Sequence, residues 1–228
     1  MFKTIKNVLR RRRLAQAGVT VEMPCATAEY GTGGGAWTAC PDAIDRDSVI
    51  YSFGIGRDLS FDRALIERHA AGVHAFDPTP TSVQWARSQT LPPALTVHEI
   101  GLANYDGDLE FYAPRKATSA HFTPVRRYKS GPGDLIKAPV RRLRTIMQEL
   151  GHDRVDLLKM DIEGGEYDVI AGIVSEGMPI TQLLVEFHHN YETIPFQKTV
   201  DAVFALRGIG FKVFAISTRT YEVSMIRK

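Results

Sequence analysis

Three observations in this 228-residue sequence predict a doubly wound α/β fold. Apolar runs of strand length alternate with segments of helical periodicity along most of the chain. The first of these runs, residues 49–53, feeds directly into Gly54-Ile-Gly56 and then into a helical pattern. An acidic residue, Asp77, ends the second run about 20 positions further on. In open, Rossmann-like sheets, a glycine turn and a carboxylate at successive strand ends mark the crevice where nucleotides bind.

The elements follow in order. Residues 1–25 stand apart as a basic extension, because Lys3, Lys6, Arg10, Arg11, Arg12 and Arg13 all precede the first acidic residue, Glu22. Without those six, the chain holds 22 basic against 26 acidic residues, so the tail is basic and the body mildly acidic. Phe2, Ile5, Val8 and Leu9 fall on helical spacing. The plainer expectation is a solvated terminus, and the alternative is an amphipathic helix making peripheral contact with an anionic membrane or a partner. No apolar h-region follows the basic run, which argues against a signal peptide. Residues 26–228 read as one domain. Strands are predicted over residues 49–53, 73–76, 95–100, 109–112, 155–160, 183–187, 211–216 and 221–226. Helices are predicted over 61–69, 81–89, 143–150, 166–173 and 199–206. Asp106-Gly107 lies between two strand-like runs and reads as a hairpin turn. Residues 113–138 read as a long irregular loop, of the kind that forms lids or stays disordered.

Composition excludes several classes. At 44% hydrophobic and 24% charged, the chain is neither disordered nor fibrous. No stretch approaches the roughly 20 apolar residues of a membrane span, so a soluble protein is expected. The balance of 28 basic to 26 acidic residues gives no global preference for nucleic acid. Cys25 and Cys40 are too few for a disulfide scaffold and are not spaced as metal ligands, so a reducing cytoplasm is the expected setting.

The chemistry concentrates in three strings. Gly54 and Gly56 permit a sharp turn and close approach to a ligand, where a β-carbon is expected to collide with a nucleoside. The third glycine of a dinucleotide fingerprint would fall at Leu59, and its absence points to a cofactor without a pyrophosphate. Asp77 can accept hydrogen bonds from both hydroxyls of a ribose, or can simply begin the turn before Pro78. The third string, LLKMDIEGGE over residues 157–166, is an apolar strand ending in the carboxylates Asp161 and Glu163 and a glycine pair. It resembles the signature of FkbM-type methyltransferases. SFGIGRD, VHAFDP, EIGLAN, LRTIMQEL and LLVEFHH occur in the same order as in that family, from about residue 30 to the C-terminus. The segment 33–40 is similar to one found in a branch of the family.

The resemblance implies a class I methyltransferase sheet, mostly parallel with an antiparallel C-terminal strand, and S-adenosyl-L-methionine as cofactor. Gly54 and Gly56 would form the cofactor loop, Asp58 and Ser60 would lie near the methionine moiety, and Asp77 would bind the ribose. Gly101 and Leu102 would border the adenine, and Asp161 would sit near the methionine amine and the transferable methyl. Ser52-Phe53 stands where the family often has an acidic residue before the first glycine, so Asp58 or Asp161 is expected to take over recognition of the amine. The acceptors implied are small molecules, sugars or glycolipids, methylated on a hydroxyl oxygen.

A hydroxyl acceptor must lose its proton, and histidine is the usual base near neutral pH. His188 is the expected base because it shares strand parity with Glu186, and Glu163 or Glu186 would orient it; His121 is the second candidate. Asp161, Glu163, Glu186 and His188 have ligand types suited to Mg²⁺, but no ligand spacing singles out a site, and metal-free chemistry is expected. Two other readings stay open: a nicotinamide-dependent oxidoreductase and a catalytically silent nucleotide-binding module. Nucleic-acid methylation is disfavoured by the small net charge and by the lack of an Asn/Asp-Pro-Pro-Tyr-like motif after the fourth strand.

Overall fold

The computed structural model describes residues 2–114, 122–125 and 135–227. α1 (Phe2–Gln16) leads into a small antiparallel ladder of β1 (Ala28–Tyr30) and β2 (Trp37–Ala39). Alternating units follow: β3 (Ile50–Phe53), α2 (Ser60–His69), β4 (Val73–Phe76), α3 (Pro80–Arg87) and β5 (Leu95–His98). β6 (Gly101–Leu102), β7 (Gly107–Tyr112) and β8 (Leu135–Arg141) form a separate three-stranded sheet. α4 (Leu143–Leu150), β9 (Val155–Met160), α5 (Glu166–Glu176), β10 (Ile180–Glu186) and α6 (Phe196–Gly208) resume the alternation, and β11 (Lys212–Ile216) and β12 (Glu222–Ile226) close it.

The local reasons are legible. α3 starts with Pro80, whose fixed φ and missing N–H suit a first helical turn. α4 buries Leu143, Ile146 and Met147 at i, i+3 and i+4 and stops at Gly151 in the left-handed conformation. The strands bury both faces: Leu158 and Met160 join one core cluster and Leu157 the other, as a pleat of period two requires.

The main sheet has seven strands in the order β11-β12-β10-β9-β3-β4-β5. β5, β4, β3, β9 and β10 run parallel, and β12 is antiparallel to both β10 and β11. The chain winds outward from β3 through β4 and β5, then returns to β9 on the other side of β3. That reversal opens a crevice at the carboxyl ends of β3 and β9.

Several expectations are corrected. Asp106-Gly107 is not a hairpin turn, because β6 and β7 do not pair with each other; each flanks β8. Instead Asp106 accepts hydrogen bonds from the Arg142 backbone N–H (2.8 Å) and the Thr145 hydroxyl (2.9 Å) at the start of α4. The irregular stretch is shorter than read, since residues 135–141 form β8. Pro139 is tolerated there because β6 spans only two residues, which leaves much of that side of β8 unpaired. The N-terminal extension is also built into the domain. Leu14 and Val19 lie in the core, Arg207 bonds the Gly18 carbonyl and Glu22, and the Glu22 N–H donates to the Val213 carbonyl. Among the described residues, no helix is long and apolar enough to cross a membrane.

Candidate active site

At the crevice, Gly54 and Gly56 have φ of +79° and +53°, the left-handed region that glycine enters without strain. A β-carbon on Gly54 would lie 1.7 Å from the Asp161 carbonyl oxygen. The group that excludes a side chain at Gly54 is therefore the protein's own strand end, not the nucleoside expected from the sequence. Gly56 differs: no atom lies within 4 Å of the corresponding point, and the residue lines an open cavity. Asp77, buried at the end of β4, ties this turn down. Its carboxylate accepts hydrogen bonds from the Gly56 N–H (3.0 Å), the Thr79 N–H (2.9 Å) and the Thr79 hydroxyl (2.6 Å). Burial pushes its carboxyl up, and these donors pull it back.

Lys159, from β9, reinforces the turn from beneath. Its ammonium donates to the carbonyls of Phe53 (3.2 Å) and Gly54 (2.9 Å) and lies 5.3 Å from the centre of the Trp37 ring. Asp62 of α2 is buried in the same wall; burial pushes its carboxyl up, and the Lys159 charge lowers it.

The far side of the cavity is acidic. Glu163 takes a left-handed conformation, φ +55°, in the turn between β9 and α5. The Thr123 hydroxyl holds its carbonyl at 2.6 Å, and Tyr191 donates to its carboxylate. Glu166, fully buried, accepts from the N–H groups of Ile162 (3.0 Å) and Gly164 and from His188 Nδ1 at 2.9 Å. That bond aims His188 Nε2 between Asp161 Oδ1 and Glu163 Oε2, each 3.7 Å away. Burial alone would lower the His188 pKa, but Glu166, Glu163 and Asp161 outweigh it and raise it to about 10. Such a histidine holds its proton more tightly than a free imidazole, which weighs against the base role expected of it from sequence. The carboxylates respond in the opposite sense. Burial pushes Asp161 up to about 6, with Lys159 and His188 opposing and the neighbouring carboxylates assisting. Burial, Asp161 and Glu222 push Glu186 up to about 7, against His188 and Arg219. Arg219 approaches Glu186 at 3.6 Å. Among the described residues, Asp161, Glu163 and His188 are the group whose ligand-type atoms all lie within 4.8 Å of one another, so a metal ion would find its donors here.

One cavity of about 710 Å³ joins these parts, lined by Gly54, Gly56, Asp58, Asp77, Gly101, Leu102, Asp161, Glu163, Glu186 and His188. Ser60 is the exception: it begins α2 with its hydroxyl turned to accept the Thr32 N–H at 3.0 Å, and the wall continues with Phe61 and Asp62. His189 turns away, bonded to Thr199 and set between the rings of Phe196 and Tyr221. His121 lies outside the described residues. Sequence reading missed Trp37, Asp62, Lys159, Glu166 and Arg219. Lys159 carried a signal, since a lysine inside an otherwise apolar strand must find a partner; Arg219 carried none.

The profile described as "Methyltransferase FkbM domain" matches residues 54–213. The human protein described as "Probable methyltransferase-like protein 24" is 26% identical over 162 residues, covering 67% of this chain and 38% of its own length. Its rat counterpart is 27% identical over 141 residues, covering 61% of this chain and 32% of its own. The chain therefore spans well under half the length of these relatives. Among solved structures, the Methanococcus jannaschii fibrillarin pre-rRNA processing protein aligns with a TM-score of 0.47 at 12% identity, over 81% of this chain and 68% of that one. With the matched segment running from the glycine turn to the last strand pair, this chain belongs to the FkbM methyltransferase family.

Proposed function

We propose that this protein transfers a methyl group from S-adenosylmethionine to a hydroxyl oxygen of a small-molecule or glycosidic acceptor. The observation that carries the reading is the two-ended cavity, with the glycine turn and Asp77 at one end and a carboxylate cage around His188 at the other. The residues fit the donor. Gly56 faces open space, Asp77 offers acceptor oxygens to a ribose, and Gly101-Leu102 lies beside it for the adenine. Asp161 Oδ1 is buried without a hydrogen-bond partner among the described residues, which suits the methionine ammonium.

When bound, S-adenosylmethionine supplies a methyl group on a positively charged sulfur, which keeps the bonding pair as the carbon joins the acceptor oxygen. The chain's own work is alignment, exclusion of water and removal of the acceptor's proton. Glu186 takes that proton. It lines the cavity beside Asp161, and a carboxyl that titrates near 7 is matched to proton transfer at neutral pH. His188 holds Asp161 and Glu163 in place as their shared cation, and Glu166 fixes its orientation.

Titration calorimetry with S-adenosylhomocysteine tests the donor assignment. One molecule should bind per chain, Asp77→Ala should weaken binding more than about tenfold, and NAD should not bind. An unliganded protein in the presence of S-adenosylhomocysteine would end this reading.

A further inference from the structure

We propose that α1 docks the protein on an anionic lipid surface. Ile5, Val8 and Leu9 are 52%, 62% and 60% exposed and lie on one face of the helix. Arg12 falls on the same face at the next helical step, and Lys6 and Arg11 are exposed beside it. No acidic residue occurs in the first 21 positions. The occupant must therefore take up aliphatic side chains and neutralise cations on a single face.

A bilayer interface does both. The aliphatic groups enter the headgroup–acyl boundary, while Arg12 extends its guanidinium to lipid phosphates. An apolar protein surface would instead have to bury that guanidinium, which is costly without a paired anion. The rest of the chain, with 22 basic against 26 acidic residues, adds no net positive charge to that of α1.

The opposite face of α1 is anchored. Leu14 enters the core, Arg10 lies 4.7 Å from the centre of the Tyr221 ring, and Arg13 lies 4.0 Å from that of Phe196. The His189 ring sits against both aromatics, next to His188 in sequence, so one layer of side chains separates the helix from the acidic end of the cavity. Docking through α1 would hold that end of the protein near the lipid headgroups.

Flotation of the full chain with vesicles tests this. Retention should be at least about tenfold stronger on phosphatidylcholine vesicles containing phosphatidylglycerol than on phosphatidylcholine alone, and should fall in high salt. Two double variants, Ile5→Asp with Leu9→Asp and Arg11→Glu with Arg12→Glu, should each abolish the difference. Both should keep the wild-type thermal midpoint and S-adenosylhomocysteine affinity, because none of these residues lines the cavity. Equal retention on both vesicles, or double variants that bind like wild type, overturns the proposal. So does a dimer in light scattering that Ile5→Asp with Leu9→Asp disperses while vesicles fail to retain the wild type, since the face would then cover a second copy.

Discussion

His188 and Glu186 are two residues apart at the end of β10, yet their surroundings move them in different directions. Three carboxylates surround the imidazole, so its proton is held to about pH 10. Glu186 faces burial and like charge, so it gives up its proton only near 7. If Glu186 removes the acceptor's proton, kcat/KM should rise with pH up to about 7, then stay level until His188 loses its proton near 10. Glu186→Gln should lower kcat by about 10²–10⁴ and erase the acidic limb of the profile. A variant that keeps the limb would shift the base role to another group. Strand parity brought these two side chains to one cavity in the sequence reading, but their protonation was not legible. That of His188 depends on Glu166 and Glu163, which approach only once the turn at residues 161–166 has folded back, and that of Glu186 on burial and on Asp161 and Glu222.

At the scale of elements, β3, β4 and β5 carry a cluster apart from the cavity. His74 Nδ1 lies 2.9 Å from His98 Nε2, and the Tyr51 hydroxyl lies 2.7 Å from His152 Nδ1. Burial, aided by the His98 and His152 charges, lowers His74 to about 4, and burial lowers His98 as well. A histidine depressed in the folded state binds its proton more readily when unfolded. Stability is thus complete above the unfolded value of about 6.5 and falls as pH drops from there toward about 4. The thermal midpoint should fall by about 4 °C or more between pH 7 and pH 5, and His74→Phe should reduce that fall. Calorimetric scans at the two pH values check it. Elements with clean periodicity were readable from sequence, as α4 and β9 show. β8 was not: Ile136, Ala138 and Val140 do alternate with Lys137 and Pro139, but a proline inside so short a run argues against a strand, and its pairing partner β7 lies across a long connection.

For the whole molecule, the parallel sheet and its reversal beside β3 were legible because each strand ends in a residue with distinct chemistry: Gly54, Asp77 or Asp161. The contribution of the N-terminal segment was not, since its contacts are remote in sequence. Trp37 lines the cavity over Lys159, and the Cys40 backbone exchanges two hydrogen bonds with the buried Gln182 amide, at 2.8 and 3.1 Å. Trp37 and Cys40 lie outside the matched segment 54–213, whereas their partners Lys159 and Gln182 lie within it. Deleting residues 1–45 should remove Leu14, Val19, Tyr30 and Trp37 from the core, at about 1.5–3 kcal/mol each, and abolish a cooperative melt. Deleting residues 1–9 should shift the midpoint by less than about 2 °C; circular dichroism melts of both deletions decide the matter. The Asp161 carbonyl wedged against Gly54 has a mechanical consequence. A side chain at residue 54 has no space unless the ends of β3 and β9 are forced apart, so the width of the cleft there is set by the backbone itself.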